Sequence, residues 1–148
     1  MLLNIGITFM TFILMECVTW LTHKYVMHGF LWYLHEDHHQ PRYQGVFEKN
    51  DLFFVIFAVP SIALLYFGIS DGYPSYLFFI GFGIMLYGMA YFLVHDVIIH
   101  KRFNWFKTSK NKYIIGLRKA HKVHHKKLGK RGSECFGMLF VPFKYFSI

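Results

Sequence analysis

Apolar residues fall into three long runs separated by short polar stretches. The first covers Leu2–Leu21 and is broken, among strongly polar residues, only by Asn4 and Glu16. The second covers Leu52–Ile69 with Pro60 inside it, where a kink is expected, and the third covers Tyr73–Ile99. A helix needs about 20 residues to cross the hydrocarbon core. By that measure the first run is long enough, the second is marginal, and the third can emerge on the far side. Backbone in lipid must satisfy its own hydrogen bonds, so helices are expected. Ser70-Asp71-Gly72-Tyr73-Pro74 reads as a tight turn between the second and third runs. Beyond Ile99 the pattern changes. Residues 101–131 are polar and basic, with a helix expected over Tyr113–Lys127. The tail from Cys135 to Ile148 is apolar again, but it is short and contains Pro142, which suits an interfacial segment better than a fourth span. The fold class is therefore an all-α integral membrane protein in one domain, 1–148. It has about three transmembrane helices, histidine-bearing helices outside the bilayer and an interfacial C-terminal segment.

Composition sharpens this. The 148 residues are 55% hydrophobic and 21% aromatic, with a mean hydropathy of +0.33. That is too apolar for an ordinary soluble domain of this size. No signal peptide is expected, because the first apolar run has no basic flank before it and no small-residue cleavage site after it. The net charge of +8 is unevenly spread. Residues 1–23 and 50–100 contain no Lys or Arg, so all sixteen basic residues lie in 24–49 and 101–148. This is the positive-inside asymmetry of a polytopic membrane protein. It puts the N-terminus and the Ser70–Pro74 turn outside, and the polar stretches in the cytoplasm, as for a bacterial inner membrane. Nucleic-acid binding is not expected, since no reader motif accompanies the charge. Cys17 and Cys135, one in an apolar helix and one in a basic tail, are not expected to pair. Two thiols cannot hold an iron–sulfur cluster, and no CxxCH motif is present.

All ten histidines sit on that cytoplasmic side, in a pattern that occurs twice. His23-x4-His28 is followed by His35-x2-His38-His39, and His95-x4-His100 is followed by His121-x2-His124-His125. In His-x2-His-His the residues stand at i, i+3 and i+4 and share a helical face. In His-x4-His they stand about 140° apart at 100° per residue, so they flank a face unless the helix end is distorted. A lone interfacial histidine is ordinarily structural. Two matched sets of five are not, because desolvating so many imidazoles needs compensation. Imidazole is the commonest protein metal ligand, and the pattern implies a binuclear metal site. Nitrogen-rich sites suit iron, zinc, copper or nickel, of which zinc alone is redox-inert. Four carboxylates lie nearby: Glu16, Glu36, Asp37 and Asp96. Asp37 and Asp96 are candidates to accept the outer N–H of metal-bound imidazoles. Glu16 lies inside an apolar span, seven residues before His23 on the same face. It either supports the histidines or makes a structural hydrogen bond.

The motifs around the histidines carry a resemblance. His23-Lys24-Tyr25-Val26-Met27-His28-Gly29, His35-Glu36-Asp37-His38-His39-Gln40-Pro41-Arg42 and Phe47-Glu48-Lys49-Asn50-Asp51-Leu52-Phe53 resemble the bacterial carotenoid 3-hydroxylases. So do Tyr91-Phe92-Leu93-Val94-His95-Asp96 to His100-Lys101-Arg102 and Ala120-His121-Lys122-Val123-His124-His125. These are the CrtZ-type β-carotene hydroxylases, membrane non-haem di-iron enzymes within the fatty-acid hydroxylase superfamily. The likeness covers roughly residues 13–140. It implies that all ten histidines bind or closely support two iron ions. It also implies O2-dependent hydroxylation at C3 of a β-ionone ring, a monooxygenase reaction repeated at the other end to give zeaxanthin from β-carotene by way of β-cryptoxanthin. The substrate is wholly apolar and would enter from the bilayer. No dinucleotide fingerprint is present, so an external, ferredoxin-like electron donor is implied, with an acidic face suited to the basic surface. The rival within the superfamily is a hydroxylase, desaturase or ketolase acting on another lipid, which the segments between the histidines argue against. The rival from another class is a non-enzymatic membrane metal or haem protein. Bis-histidine haem would need ligand pairs facing each other across helices, and here the clusters lie at one surface. The eighteen Phe, ten Tyr and three Trp suit lipid or core contact before any tunnel. Gly81, Gly83 and Gly88 either permit close helix approach or make room for a long substrate.

Overall fold

The computed structural model describes residues 1–40, 47–70, 72–129 and 131–146. Pro41 and Arg42 of the second motif, Asp71 of the turn, and the last two residues of the tail lie outside the described residues. The first apolar run forms α1 (Leu2–Leu21), which continues without a break into a π-helical segment, Thr22–Phe30. After Leu31 comes α2 (Trp32–His39). A 3-10 turn at Lys49–Asp51 leads into α3 (Leu52–Phe67), and Pro60 sits inside α3 without ending it. The two-residue strands β1 (Ile69–Ser70) and β2 (Tyr73–Pro74) pair antiparallel and close the turn, with Gly72 at φ +79°. α4 (Tyr76–Tyr91) follows and runs into a second π-helical segment, Phe92–Ile99. The third helix thus begins at Tyr76, three residues later than its apolar run, because Tyr73 and Pro74 are taken by the hairpin.

Three of these helices are long and apolar enough to cross a membrane: Leu2–Phe30, Lys49–Phe67 and Tyr76–Ile99. The chain is an all-α membrane protein. Leu3, Phe9, Val59, Ile62, Tyr66 and Met89 stand exposed on the outside of the bundle, as lipid-facing residues should. α4 is the central span, with α1 on one side and α3 on the other. Two glycines set those approaches. A Cβ on Gly81 would stand 2.9 Å from Leu64 and Ser61 of α3, and one on Gly83 would stand 2.7 Å from Thr8 and Thr11 of α1. Being two residues apart, they open opposite flanks of one helix. Gly88 is different, since a Cβ there meets nothing within 4 Å.

α5 (Lys112–His124) is capped by Asn111, whose side chain accepts from Tyr113 N–H at 2.9 Å and Ile114 N–H at 3.3 Å. It ends three residues before the expected Lys127, because residues 125–127 turn away with bonds to the carbonyls of His121, Val123 and His124. Arg118 fixes α5 against the third span by donating to Ile98 O at 2.8 Å and Phe106 O at 2.9 Å. The tail does not form a fourth span. It runs back as a strap along the histidine-bearing ends of the bundle, where Phe136 and Met138 are buried, and ends in a 3-10 turn at Phe143–Tyr145. Met138 joins Met15 of α1 and Tyr87 of α4 in the membrane-side core.

Candidate metal centre

The two π-helical segments are where the His-x4-His pairs lie. An α-helix closes i→i+4 bonds and separates residues five apart by about 140°. Here Leu31 N–H donates to Val26 O at 3.0 Å, and His100 N–H donates to His95 O at 2.9 Å, both i→i+5 bonds. Such a turn is one residue wider and stacks i+5 above i. His23 therefore aligns with His28, and His95 with His100. The expectation that each pair would flank a face is corrected by this change of helix type.

The His-x2-His-His triplets behave differently. On a regular helix i+4 lies about 40° from i, while i+3 lies about 60° to the other side. The outer histidines of α2, His35 and His39, thus point together and the middle one, His38, points away. The same holds for His121, His124 and His125 around the end of α5. The result is two clusters that exchange their middle members. His23, His28, His35, His39 and His124 bring their ligand nitrogens within 4.8 Å of one another, and so do His38, His95, His100 and His121. His125 completes the second set, with Nε2 2.8 Å from His121 Nε2. Its ring stacks on His39 at 4.2 Å, which joins the clusters. All ten histidines meet in one assembly. His124 is fully buried and His35 is 1% exposed.

The outer ring nitrogens decide what the inner ones offer. His23 Nδ1 lies 2.9 Å from Phe136 O, His28 Nδ1 2.9 Å from Leu128 O, and His124 Nδ1 3.1 Å from Glu134 O. A carbonyl only accepts, so each of these Nδ1 atoms carries the proton and each Nε2 is left with a bare lone pair. Yet His23 Nε2 faces His35 Nε2 at 3.1 Å, and His28 Nε2 faces His124 Nε2 at 3.1 Å. Lone pair against lone pair is repulsive without a cation between them. His38 makes the same point alone. Its Nδ1 meets the Glu48 carboxylate at 2.7 Å, and its Nε2 is buried with no hydrogen-bond partner among the described residues. Metal–nitrogen bonds of about 2.1 Å put neighbouring ligands about 3 Å apart, close to the spacings found. The residues fit a metal pair. Burial first, and neighbouring imidazoles next, hold His38, His39 and His121 well below the usual imidazole range and bring His125 down to about 4. Burial likewise brings His35 and His124 down to about 3. All are thus neutral and able to ligate at neutral pH.

The carboxylates are arranged otherwise than expected. Asp37 accepts the Lys49 backbone N–H at 2.6 Å and meets no imidazole. Asp96 stands 3.6 Å from His95 Nδ1, too far for a hydrogen bond, and pairs instead with Arg102 Nε at 3.2 Å. Glu16 bonds to no imidazole directly: it accepts Tyr87 Oη at 2.6 Å and the N–H groups of Met138, Leu139 and Phe140. The side chains that do hold imidazoles are Glu48, on His38, and Asn50, whose Oδ1 lies 2.7 Å from His35 Nδ1. Arg102 gathers Glu48 at 2.9 Å, Asp51 at 3.1 Å and Asp96, so it ties the start of the second span to the end of the third.

A cavity of about 730 Å³ opens between the spans on the membrane side of the clusters. Met15, Phe53, Phe57, Ile84, Tyr87 and Gly88 line its apolar part, and Glu48, Asn50, Asp96 and Arg102 line its end toward the histidines. Its size is that of a small-molecule site. Among the described residues no histidine lines it, but Asn50 and Glu48 touch both the cavity and the clusters.

The fatty acid hydroxylase family model matches residues 8–146. The chain belongs to the fatty acid hydroxylase family. It is 44% identical to a beta-carotene hydroxylase of Pantoea ananas over 139 residues, which is 94% of this chain and 78% of that protein. It is 43% identical to a beta-carotene hydroxylase of Pseudescherichia vulneris over 95% of this chain and 78% of the relative. A chloroplastic beta-carotene 3-hydroxylase of Arabidopsis thaliana is 44% identical over 70% of this chain, which is 34% of the plant protein. No solved structure matches.

Two kinds of site residue are not marked out as such in the sequence. Glu48 and Asn50 stand nine or more residues beyond the last histidine of their set. Both lie in the motif Phe47–Phe53 that carries part of the family resemblance, but nothing in it assigns them to particular imidazoles. The carbonyls of Leu128, Glu134 and Phe136 have no signal at all, because every residue type carries one.

Proposed function

We propose that this protein hydroxylates C3 of the β-ionone ring, taking β-carotene to β-cryptoxanthin and then to zeaxanthin, with O2 as co-substrate and two iron ions held by the ten histidines. One observation carries the reading. Two adjoining histidine clusters, each taking one member from the other half's triplet, stand beyond the polar end of an apolar cavity between membrane spans, in a chain 44% identical to a beta-carotene hydroxylase. Iron is favoured over zinc because oxidation of an unactivated C–H bond needs a redox-active centre. The bound iron pair supplies the oxygen-activating chemistry.

The protein's own residues do the rest. Met15, Phe53, Phe57 and Ile84 receive the ring and exclude water from it. Thr8, Thr11, Gly81 and Gly83 hold the three spans close, so the cavity keeps its shape. Asn50, Glu48 and the strap carbonyls hold five imidazoles in one tautomer with Nε2 turned inward. The substrate enters sideways from the bilayer, and the clusters lie on the cytoplasmic side, where the basic residues are. An acidic, ferredoxin-like donor supplies electrons there, because the chain carries no dinucleotide motif of its own.

The test is pigment analysis of cells that make β-carotene and express this chain, with and without oxygen. Oxygen-dependent appearance of β-cryptoxanthin and zeaxanthin is expected. Unchanged β-carotene beside well-expressed, iron-loaded protein and a competent donor would overturn the substrate assignment and point to another apolar lipid.

A further inference from the structure

Glu16 lies deep in the first span and touches no histidine, yet its two oxygens accept four hydrogen bonds. Oε2 takes Tyr87 Oη at 2.6 Å. Oε1 takes three successive backbone N–H groups, Met138 at 2.8 Å, Leu139 at 2.8 Å and Phe140 at 3.2 Å. Gly137 stands so near that a Cβ on it would lie 3.0 Å from Oε1. A carboxyl group inside a span is expensive to bury, and three of the four bonds this one accepts come from a single segment of chain.

That segment is the strap. Running back from its anchor, it presents Phe136 O to His23, and Glu134 directly before it presents its carbonyl to His124. The Phe136 ring packs edge-on against both imidazoles and against that of His28, at 5.2–5.5 Å. All three belong to one cluster. In the other, His38 is held by Glu48 instead. We infer that Glu16 is a positioning residue for one of the two metal positions. It pins the strap, and the strap fixes the tautomer of His23 and His124 and, through the Phe136 ring, the packing of His28, three of that position's five imidazoles. This rests on the reading of the clusters as a metal pair.

The inference requires a one-sided effect. Glu16→Leu leaves three amides without their acceptor and frees the strap. Glu16→Gln keeps an oxygen for the amides and turns its NH2 toward the Tyr87 oxygen, so it should rescue. Gly137→Ala pushes on the same oxygen with the carboxylate in place, and it serves if Glu16→Leu does not fold. The experiment titrates metal-free protein in detergent with ferrous iron alone, under anaerobic conditions, and follows iron bound per chain and the Mössbauer spectrum. Wild type is expected to bind two ions. Glu16→Leu is expected to keep one and to bind the other about 10–100-fold more weakly, the usual effect of losing an outer partner of a metal-bound histidine. One spectral component should change and the other should not. Gly137→Ala should give a smaller loss of the same kind, and Glu16→Gln should stay near wild type. Unchanged binding in Glu16→Leu or in Gly137→Ala would overturn the proposal, and so would equal weakening at both positions, which is the mark of a general loss of fold. If wild type itself binds no iron, the metal reading falls, and a different experiment result has failed it.

Discussion

A neutral imidazole has one N–H to give, and where it gives it determines what the other nitrogen can do. Five histidines here give theirs outward, to Phe136 O, Leu128 O, Glu134 O, Asn50 and Glu48. Because His38 and His124 are the members exchanged between clusters, losing either one strips a ligand from the cluster opposite its own helix partners. His38→Ala and His124→Ala are each expected to abolish hydroxylation in the pigment assay, whereas Lys126→Ala, on an exposed residue just beyond, should leave it close to wild type. Protons compete for the same lone pairs. His125 falls from its ordinary 6.5 to about 4, and His35 and His124 to about 3, so the unfolded chain binds more protons than the folded one between those values. Their contribution to stability is full above pH 6.5 and is lost as pH falls toward 4 and below. The thermal midpoint of metal-free protein in detergent should be flat above pH 6.5 and decline beneath it. The histidines were legible residue by residue, since imidazole clusters have no cheaper explanation. Their outer partners were not, because a backbone carbonyl leaves no mark in a sequence and Glu48 reaches His38 only after the chain has turned back.

At the scale of elements, the apolar runs located the spans to within a few residues, and α1 coincides with its run. The errors have physical causes. The hairpin takes Tyr73 and Pro74, and the turn after His124 shortens α5. The larger miss is the pair of π-helical segments. Reading periodicity assumes 100° per residue, and one extra residue in a turn is invisible to that count, so His-x4-His looked splayed when it is stacked. The glycines of α4 divide by function in a way spacing alone leaves open. Gly81 and Gly83 meet the flanking spans, while Gly88 faces the cavity. Gly83→Leu should overpack the α1 contact at a cost of about 1–3 kcal/mol, read as a lower thermal midpoint. Gly88→Ala should be neutral in the same measurement. Gly88→Phe should fold and hold metal but convert less β-carotene, because the ring fills the space the substrate needs.

For the whole molecule, the sequence repeat and the spatial arrangement are related but not identical. Each half of the chain supplies a π-helical pair and a triplet, and each surrenders the middle histidine of its triplet to the other half. Stripping metal with a chelator is therefore expected to loosen the histidine-bearing ends of both halves together. That would be read as faster proteolysis of the basic stretch around Lys107–Lys112, while the membrane spans stay intact. The exchange has a further consequence when the ions are counted as cross-links. Each cluster draws histidines from before and after the central hairpin, so an ion bound in either one would tether the two halves. Departure of the first ion would leave one tether standing, and the histidine-bearing ends would be free of both only when the second had gone. A structure fastened in this redundant way can release and reload one ion at a time without coming apart.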